Sequence, residues 1–532
     1  MPVRESASYD AVVVGAGFAG MYMLHRLRQS GLKVRLIEAG GGPGGVWYWN
    51  RYPGARCDVE SMEYQYGFDP ELVRDWTWSE RYGTQPEILN YVNFVADRLD
   101  IYRDAEFNTR IRSIEWDDKT KGWVLTSEAG KTFHTPHCIM ATGHLSATNK
   151  VAFPGRDSFK GRQFHTGEWP HEGVDFTGRR VAVIGTGSSG VQSIPPIARQ
   201  AGHLYVFQRT PSYSLPAEMR PWTEEEIAAA KSSHAALLEK AKYHPSLSFR
   251  SPSDESIFDF TPAAVQERLE ISWRLGGFTF LQSFNDAMSK LEANKIVSEF
   301  VRNKIRQTVR DPKVAELLCP TYPIGTKRPC LDTGYYETYN RPNVTLVDVS
   351  AAPIEAITER GLCCGGVEYE VDDIVHATGF DAMTGALSRI DIRGRDGLSL
   401  KEKWAAGPVT YLGLGSAGFP NLFIITGPGS PSVLANCILG AEQQVEWIGD
   451  CIDELRRRGC RTIEPTPAAE TDWGQQVNEL ARDTLYHHAN SWYLGANIPG
   501  KPRVFLPYLG HGRYRTKCNE VAAAGYSGFA IA

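Results

Sequence analysis

Val12-Val13-Val14-Gly15-Ala16-Gly17-Phe18-Ala19-Gly20 opens this chain, and Val181-Ala182-Val183-Ile184-Gly185-Thr186-Gly187-Ser188-Ser189-Gly190 repeats its pattern. In each stretch an apolar run ends in three glycines that do different work. The first permits a tight strand-to-helix turn, the second lets a pyrophosphate approach the backbone, and the third lets helix and strand pack closely. Unpaired N–H groups at the start of the following helix then hold the phosphates. One glycine-rich turn is common, but two of them, each followed by a helical pattern, imply two nucleotide cofactors on one polypeptide. The fold expected is α/β, with two Rossmann-like dinucleotide-binding domains.

The two units differ where the adenosine ribose lies, at the end of the second strand. Lys33-Val34-Arg35-Leu36-Ile37-Glu38 ends in a carboxylate 18 positions after Gly20 (38 − 20), which suits free ribose hydroxyls and reads as FAD. In the second unit Gln208-Arg209-Thr210 places a cation 19 positions after Gly190 (209 − 190). A carboxylate there would repel a 2′-phosphate, whereas arginine binds one bidentately, so this site reads as NADPH. Taken singly, Glu38 and Arg209 could equally be solvated strand-end charges. Together the sites describe a flavoenzyme that uses a nicotinamide.

With 532 residues, 42% hydrophobic and 22% charged, the chain has room for two or three domains, each with its own core. A net charge of −5 leaves no basic footprint for nucleic acid. No apolar run reaches the length of a membrane span, and Met1 to Tyr9 lacks a leader's apolar region, so a cytoplasmic chain is expected, as a monomer. The ten cysteines show no CxxC or Cys/His metal spacing, and no metal is expected. Only Cys57 follows the first fingerprint closely, which excludes flavin disulfide reductases.

Helix is expected from Met21 to Gln29, closed by Gly31, and antiparallel strands near Phe107–Glu115 and Gly122–Ser127. Ala141-Thr142-Gly143 ends one buried strand, and Ala377-Thr378-Gly379 echoes it. The Gly/Pro-rich linker Val151–Asp175 marks a boundary. Beyond it, Thr223-Glu-Glu-Glu226 is a capping box, Thr261-Pro262 a helix start, and Ser283 to Val309 a long amphipathic stretch stopped by Asp311-Pro312. Ile438 to Arg458 is a helix ending at Gly459. The expected division is 1–145 with 381–532 for a discontinuous FAD-binding domain, 146–215 with 319–380 for the NADPH-binding domain, and 216–318 for a helical insertion.

Between the fingerprints lies Phe159-Lys-Gly161-Arg-Gln-Phe-His165-Thr-Gly-Glu-Trp169-Pro170, and before it Gly44-Gly-Val-Trp47-Tyr-Trp-Asn-Arg-Tyr-Pro53-Gly-Ala-Arg-Cys-Asp58. With these two signatures nearly the whole chain resembles the type I Baeyer-Villiger monooxygenases, most of all the phenylacetone and steroid monooxygenase branch, with cyclohexanone monooxygenases more distant. The resemblance implies an enzyme that consumes NADPH and O2 and converts a ketone, aryl-alkyl, cyclic or steroidal, to an ester or lactone through a flavin C4a-peroxide. That anion needs a fixed cation that does not surrender its proton, which arginine supplies better than lysine.

By resemblance, Arg328 is that catalytic cation and Asp58 orients it, although a plain salt bridge would have the same geometry. The resemblance also implies FAD contacts at Gly15, Gly17, Ala19, Gly20, Glu38, Val46, Trp47, Asp58, Tyr64, Ile111 and Cys437. For NADP it implies Arg56, Cys57, Asp58, Gly185, Thr186, Gly187, Ser188, Ser189, Gly190, Val191, Arg209, Thr210, Lys327, Arg328 and Trp492. Trp492 corresponds to a mobile loop that closes over bound NADP; a plain core or surface tryptophan is the alternative. Ser432, Val433 and Leu434 are expected to line the substrate pocket, and His165 to orient domains rather than move protons. Two other functions remain open: a flavin monooxygenase acting on nitrogen or sulfur, and a non-catalytic nucleotide-binding redox sensor.

Overall fold

The computed structural model describes residues 6–532, so most of the segment read for a leader, Met1 to Glu5, lies outside the described residues. Two five-stranded parallel sheets carry the fold. The first orders Leu422–Ile424, His137–Met140, Ala11–Val14, Val34–Ile37 and Ala105–Glu106. The second orders Val344–Asp348, His203–Gln208, Arg180–Ile184, Asp373–His376 and Arg162–His165. Ala11–Val14 is buried at every position, as an unbroken apolar run must be when both faces of a parallel sheet are covered: Ala11 and Val13 pack among helices, Val12 and Val14 against Ile114, Trp123, Leu125 and Phe133 of a second sheet. Leu422–Ile424 joins this sheet at its edge by pairing with His137–Met140, so early and late parts of the chain share one sheet. The helix Cys437–Arg458 packs on Phe18–Gln29 and stops at Gly459 in the left-handed region (φ 69°).

The two glycine turns superimpose in their torsions. Gly15 and Gly185 have φ of 109° and 108°, which L side chains rarely adopt, and a Cβ on either would lie 2.4 or 2.5 Å from the carbonyl oxygen of Ala141 or Ala377. The repeated Ala-Thr-Gly strand ends are therefore the walls against which the two turns press. A Cβ on Gly20 or Gly190 would meet the carbonyl of the unit's own first glycine at 1.8 or 2.2 Å, which is the close helix–strand contact. Gly17 and Gly187 cap their helices with φ/ψ of −77/−172° and −76/−172°, and no side chain bonds the first N–H groups of either helix. Those donors stay available to an anion.

A mixed sheet of Ser6–Ser8, Thr132–Thr135, Gly122–Ser127, Ile111–Asp117 and Asp391–Arg393 flanks the first unit, with the expected antiparallel pairing at its centre. The helical stretch begins and ends at one point, because Ser214–Pro216 pairs with Cys330–Asp332. Its capping box at Thr223 and Glu226 forms as read, and so does the Thr261 cap of Pro262–Leu275. The amphipathic stretch from Ser283 is shorter than its pattern: helix runs only over Leu291–Thr308. Asp286 accepts from Ser256 Oγ and the Ile257 N–H, and this tertiary anchor holds the preceding turn. Asp311 does not end that helix but caps the next, Pro312–Leu318. Packing divides the stretch: Ile227 and Ala230 lie against the first unit's core, whereas Val265, Leu269, Phe280 and Val297 form a separate cluster. Among the described residues no helix is long and apolar enough to cross a membrane, and no cluster of metal ligands occurs.

Candidate active site

Both glycine turns open into one cavity of about 1810 Å³ between the sheets. From the first unit it is lined by Gly15, Gly17, Ala19, Glu38, Val46, Trp47, Tyr64 and Ile111, and from the second by Gly185, Thr186, Gly187, Ser188 and Ser189. The segment Gly44–Asp58 bridges the two. Gly44 N–H donates to Ala16 O at 2.8 Å, and a Cβ on Gly54 (φ 82°) would lie 2.2 Å from the carbonyl of Gln192 in the second unit's helix. Tyr52 Oη donates to Gln192 Oε1 at 2.7 Å. The family-like signature thus forms the floor where the two nucleotide sites meet, with Arg56, Cys57 and Asp58 on the cavity wall.

Arg328 and Asp58 face each other on that wall, 270 positions apart in sequence. Arg328 donates Nε to Asp58 Oδ2 at 2.6 Å, Nη2 to Oδ1 at 2.8 Å, and Nη1 to the Val433 carbonyl at 2.9 Å. Each side chain keeps 25% of its surface accessible, and both line the cavity. Burial opposes the charge on Arg328, but Asp58 overturns that effect, so the guanidinium holds its proton more tightly than a free arginine does. It is a cation that will not act as an acid. Nearby, Trp47 Nε1 donates to Tyr64 Oη at 3.1 Å, and Cys437 Sγ lies 3.9 Å beyond, closing an apolar face. Burial pushes both the Cys437 thiol and the Tyr64 phenol up, which keeps them neutral.

The two strand ends differ as their sequences do. Glu38 accepts from the N–H groups of Ala16 and Gly40, both at 2.7 Å, which fixes the carboxylate beside the first turn. At the second end Arg209, Thr210 and Lys327 line the cavity. Burial and then Arg209 hold the Lys327 ammonium below the usual lysine range. Neither cation has a carboxylate partner among the described residues; Lys327 lies 4.7 Å over the Tyr322 ring. Two cations without carboxylate partners, close enough to repel, have the charge that suits a dianion.

A family model described as pyridine nucleotide-disulphide oxidoreductase matches residues 12–246. Acetone monooxygenase (methyl acetate-forming) of Gordonia sp. (strain TY-5) is 44% identical over 99% of this chain and 100% of its own. A Baeyer-Villiger monooxygenase of Pseudooceanicola batsensis is 43% identical over 98% of this chain and 96% of its own. The chain belongs to the Baeyer-Villiger monooxygenase family. An oxidised steroid monooxygenase bound to NADP superimposes on it with a TM-score of 0.94, at 50% identity, covering 98% of this chain and 99% of that one. All ten cysteines are free in the structure.

Within this Baeyer-Villiger fold some expected site residues lie off the cavity. Gly20 and Gly190 are packing glycines beneath the turns, and Val191 is buried in the second sheet's core. Of the expected substrate segment only Val433 reaches the cavity. The 3-10 turn Ser432–Leu434 starts with Ser432 at φ 40°, which turns its hydroxyl toward Met383 and packs Leu434 on the core. Arg56 lines the cavity but is engaged by Glu80 Oε2 and Tyr82 O, both at 2.8 Å. His165 accepts from Gly167 N–H and pairs with Thr378, tying the linker to the second Ala-Thr-Gly end. Burial lowers its basicity.

Trp492 lines the cavity on a loop strapped down at three points. Asn497 Nδ2 donates to Phe380 O at 2.7 Å, Lys501 Nζ to Asp381 Oδ1 at 2.6 Å and to Ala382 O at 2.7 Å. Three residues beside Arg328 carry no motif signal: Phe278, whose ring centroid lies 5.0 Å from the guanidinium carbon, Tyr493 and His144. His144 lines the cavity with a buried Nδ1 that lacks a partner, and burial with the Arg328 charge pushes it down to about 4, so it is neutral.

Proposed function

We propose that this chain uses NADPH and O2 to convert a ketone to an ester or lactone, with Arg328 as its catalytic cation and FAD and NADP in the two glycine turns. The observation that carries the reading is the Asp58-held Arg328 on the one cavity into which both turns open. The residues fit both cofactors. A Cβ on Gly187 would meet nothing within 4 Å, leaving room for a pyrophosphate, and both helix starts offer free donors. Glu38 suits the FAD ribose, while Arg209, Thr210 and Lys327 suit the 2′-phosphate of NADPH.

Bound FAD, once reduced by NADPH, supplies the activated oxygen. Arg328 then stabilises the negative charge that develops as the ketone carbonyl is attacked, without giving up a proton. Asp58 holds the guanidinium plane and so limits where that charge is stabilised. Trp47, Tyr64 and Cys437 make the dry wall for the flavin ring, with Val46 and Ala19 beside the turn, while Ile111, packed with Val14 and Ile37, serves the FAD site near Glu38. Thr186, Ser188, Ser189, Arg56 and Cys57 complete the NADP side, and Trp492 on its strapped loop excludes water. Val433 contributes to the ketone pocket. We assign 1–145 with 381–532 to FAD, 146–215 with 319–380 to NADPH, and 216–318 to the helical insertion. A cytoplasmic monomer completes the reading, for which ten free thiols suit a reducing compartment.

The test is oxygen uptake by the purified yellow holoenzyme with NADPH and a panel of ketones, followed by product identification. Arg328→Ala is expected to keep its flavin and lose ester formation. Ester production at the wild-type rate by that variant refutes the assignment, and products confined to N-oxides or sulfoxides move the enzyme to the nitrogen- and sulfur-oxidising class.

A further inference from the structure

The edges of the Arg328 guanidinium are held, with three of its five N–H groups donated to Asp58 and Val433, but edge contacts alone leave the plane free to rock. A face contact comes from the helical insertion. The Phe278 ring lies over the guanidinium, 5.0 Å from Cζ to centroid. We infer that Phe278 is a positioning residue for Arg328, a cation–π backstop that fixes which face of the guanidinium the cavity meets.

The surroundings of Phe278 are built to hold a ring in place. It sits in the 3-10 segment Gly277–Gln282, preceded by Gly276 at φ 69° and Gly277 at φ 71°. A Cβ on Gly276 would lie 2.5 Å from Pro216 O, and one on Gly277 2.2 Å from Tyr82 Oη, so the backbone is wedged where only glycine fits. Arg81 Nη1 donates to the Leu275 carbonyl at 2.7 Å, and its Nε and Nη2 reach Glu60 Oε1 at 3.1 and 2.8 Å. The Arg81 side chain is only 7% exposed. Glu60 is two residues beyond Asp58. The carboxylate that grips the edge of Arg328 and the ring that covers its face are thus joined by one strut, Glu60–Arg81–Leu275, with the buried Arg81 at its centre. A surface aromatic that met Arg328 by chance would need no such support.

This inference rests on Arg328 as the cation of the proposed reaction, and its test separates the two. Phe278→Leu keeps apolar volume and removes the quadrupole; Phe278→Tyr keeps the ring; fluorinated phenylalanines at 278 weaken the ring's negative face stepwise. In holoenzyme carrying 15N-arginine, the solvent exchange rate of the Arg328 Nε–H, assigned by its loss in Arg328→Lys, reads positioning with no turnover. We expect Phe278→Leu to accelerate exchange by about threefold to thirtyfold, the range a cation–π contact spans. Phe278→Tyr should stay near wild type, and each added fluorine should move the rate toward leucine at an unchanged melting temperature. Hydrogen peroxide released per NADPH should rise in the same order. Exchange that is unchanged in Phe278→Leu, or insensitive to fluorine, overturns the inference. Failure of the wild-type enzyme to make an ester from any ketone refutes the proposed reaction, while the exchange rates still decide the role of Phe278.

Discussion

Replacing Arg209 with alanine should set the two nicotinamide dinucleotides apart. The residue is exposed, directly follows the strand His203–Gln208 and has no carboxylate partner among the described residues, so its loss removes no ion pair seen in the fold. What is lost is one charge-assisted contact to the 2′-phosphate, worth about 1.5–3 kcal/mol when well formed. Solvent screening at an exposed position reduces this to roughly 1–2 kcal/mol, or about five- to thirtyfold in the KM for NADPH. Lys327 remains, and one of the two influences holding its pKa down disappears, so the single variant keeps part of the site. With Lys327→Ala added, the loss should reach about a hundredfold. NADH has no phosphate there, and its KM should stay within about twofold in both variants. Steady-state NADPH and NADH titrations at saturating ketone measure this directly. Salt should weaken NADPH binding in the wild type more than in the variants. Equal changes for the two dinucleotides, or an unmoved KM for NADPH, would place the cations elsewhere and remove the physical basis for the NADPH assignment.

Other substitutions read single features. Gly190→Ala should purify with its flavin but fail to bind NADP, and Gly20→Ala should lose the flavin, because each methyl group would overlap the carbonyl of its own turn; flavin absorbance and NADP titration separate the two outcomes. Lys501→Ala removes two of the loop's three straps and should raise hydrogen peroxide release several-fold with unchanged flavin content. Glu442 is buried on the helix Cys437–Arg458, and burial pushes its carboxyl up to about 8. A folded-state pKa above the unfolded one stabilises fully below the ordinary carboxyl range near 4.5, and that contribution is lost as pH rises through about 8. Glu442→Gln should therefore change stability little near pH 5 and gain a few kcal/mol, on the order of 3, by pH 8 in chemical denaturation; a gain that does not vary with pH contradicts this account.

What could be read from the residues was what short-range geometry carries. A strand, a tight turn and a helix fix where the next strand must end, so Glu38 and Arg209 were legible by counting from Gly20 and Gly190. The pairing of Asp58 with Arg328 was not, because it spans 270 positions and joins segments that only the folded chain brings together; it rested on resemblance. Which of Ser432–Leu434 faces the cavity was not legible for a related reason. A 3-10 turn has neither the twofold alternation of a strand nor a helical face, and the left-handed Ser432 leaves only Val433 on the cavity. Phe278, Tyr493 and His144 carry no motif at all. The early part of the stretch from Ser283 has helical periodicity but is captured by Asp286, a case in which tertiary hydrogen bonds override a local pattern.

The duplicated turns also explain why the chemistry lies between the units and not inside either. With φ matching to about a degree at Gly15 and Gly185, the two copies offer the same backbone cradle, and neither turn contains a charged side chain. The two copies differ in charge at the second strand's end, Glu38 in one and Arg209, with Lys327 near it, in the other. The groups proposed to carry the reaction enter from other segments: Asp58 from the floor after the first unit, Arg328 from the return of the helical stretch, and Trp492 from a loop strapped to Phe380–Ala382. An Arg328 fixed by contacts from 58, 433 and 278 can keep its place only while all three segments keep theirs. The site is therefore sensitive to how the two nucleotide units sit relative to each other, and substitutions at Gly54 or Gln192, which touch no reacting atom, should disturb coupling before they disturb binding of either cofactor.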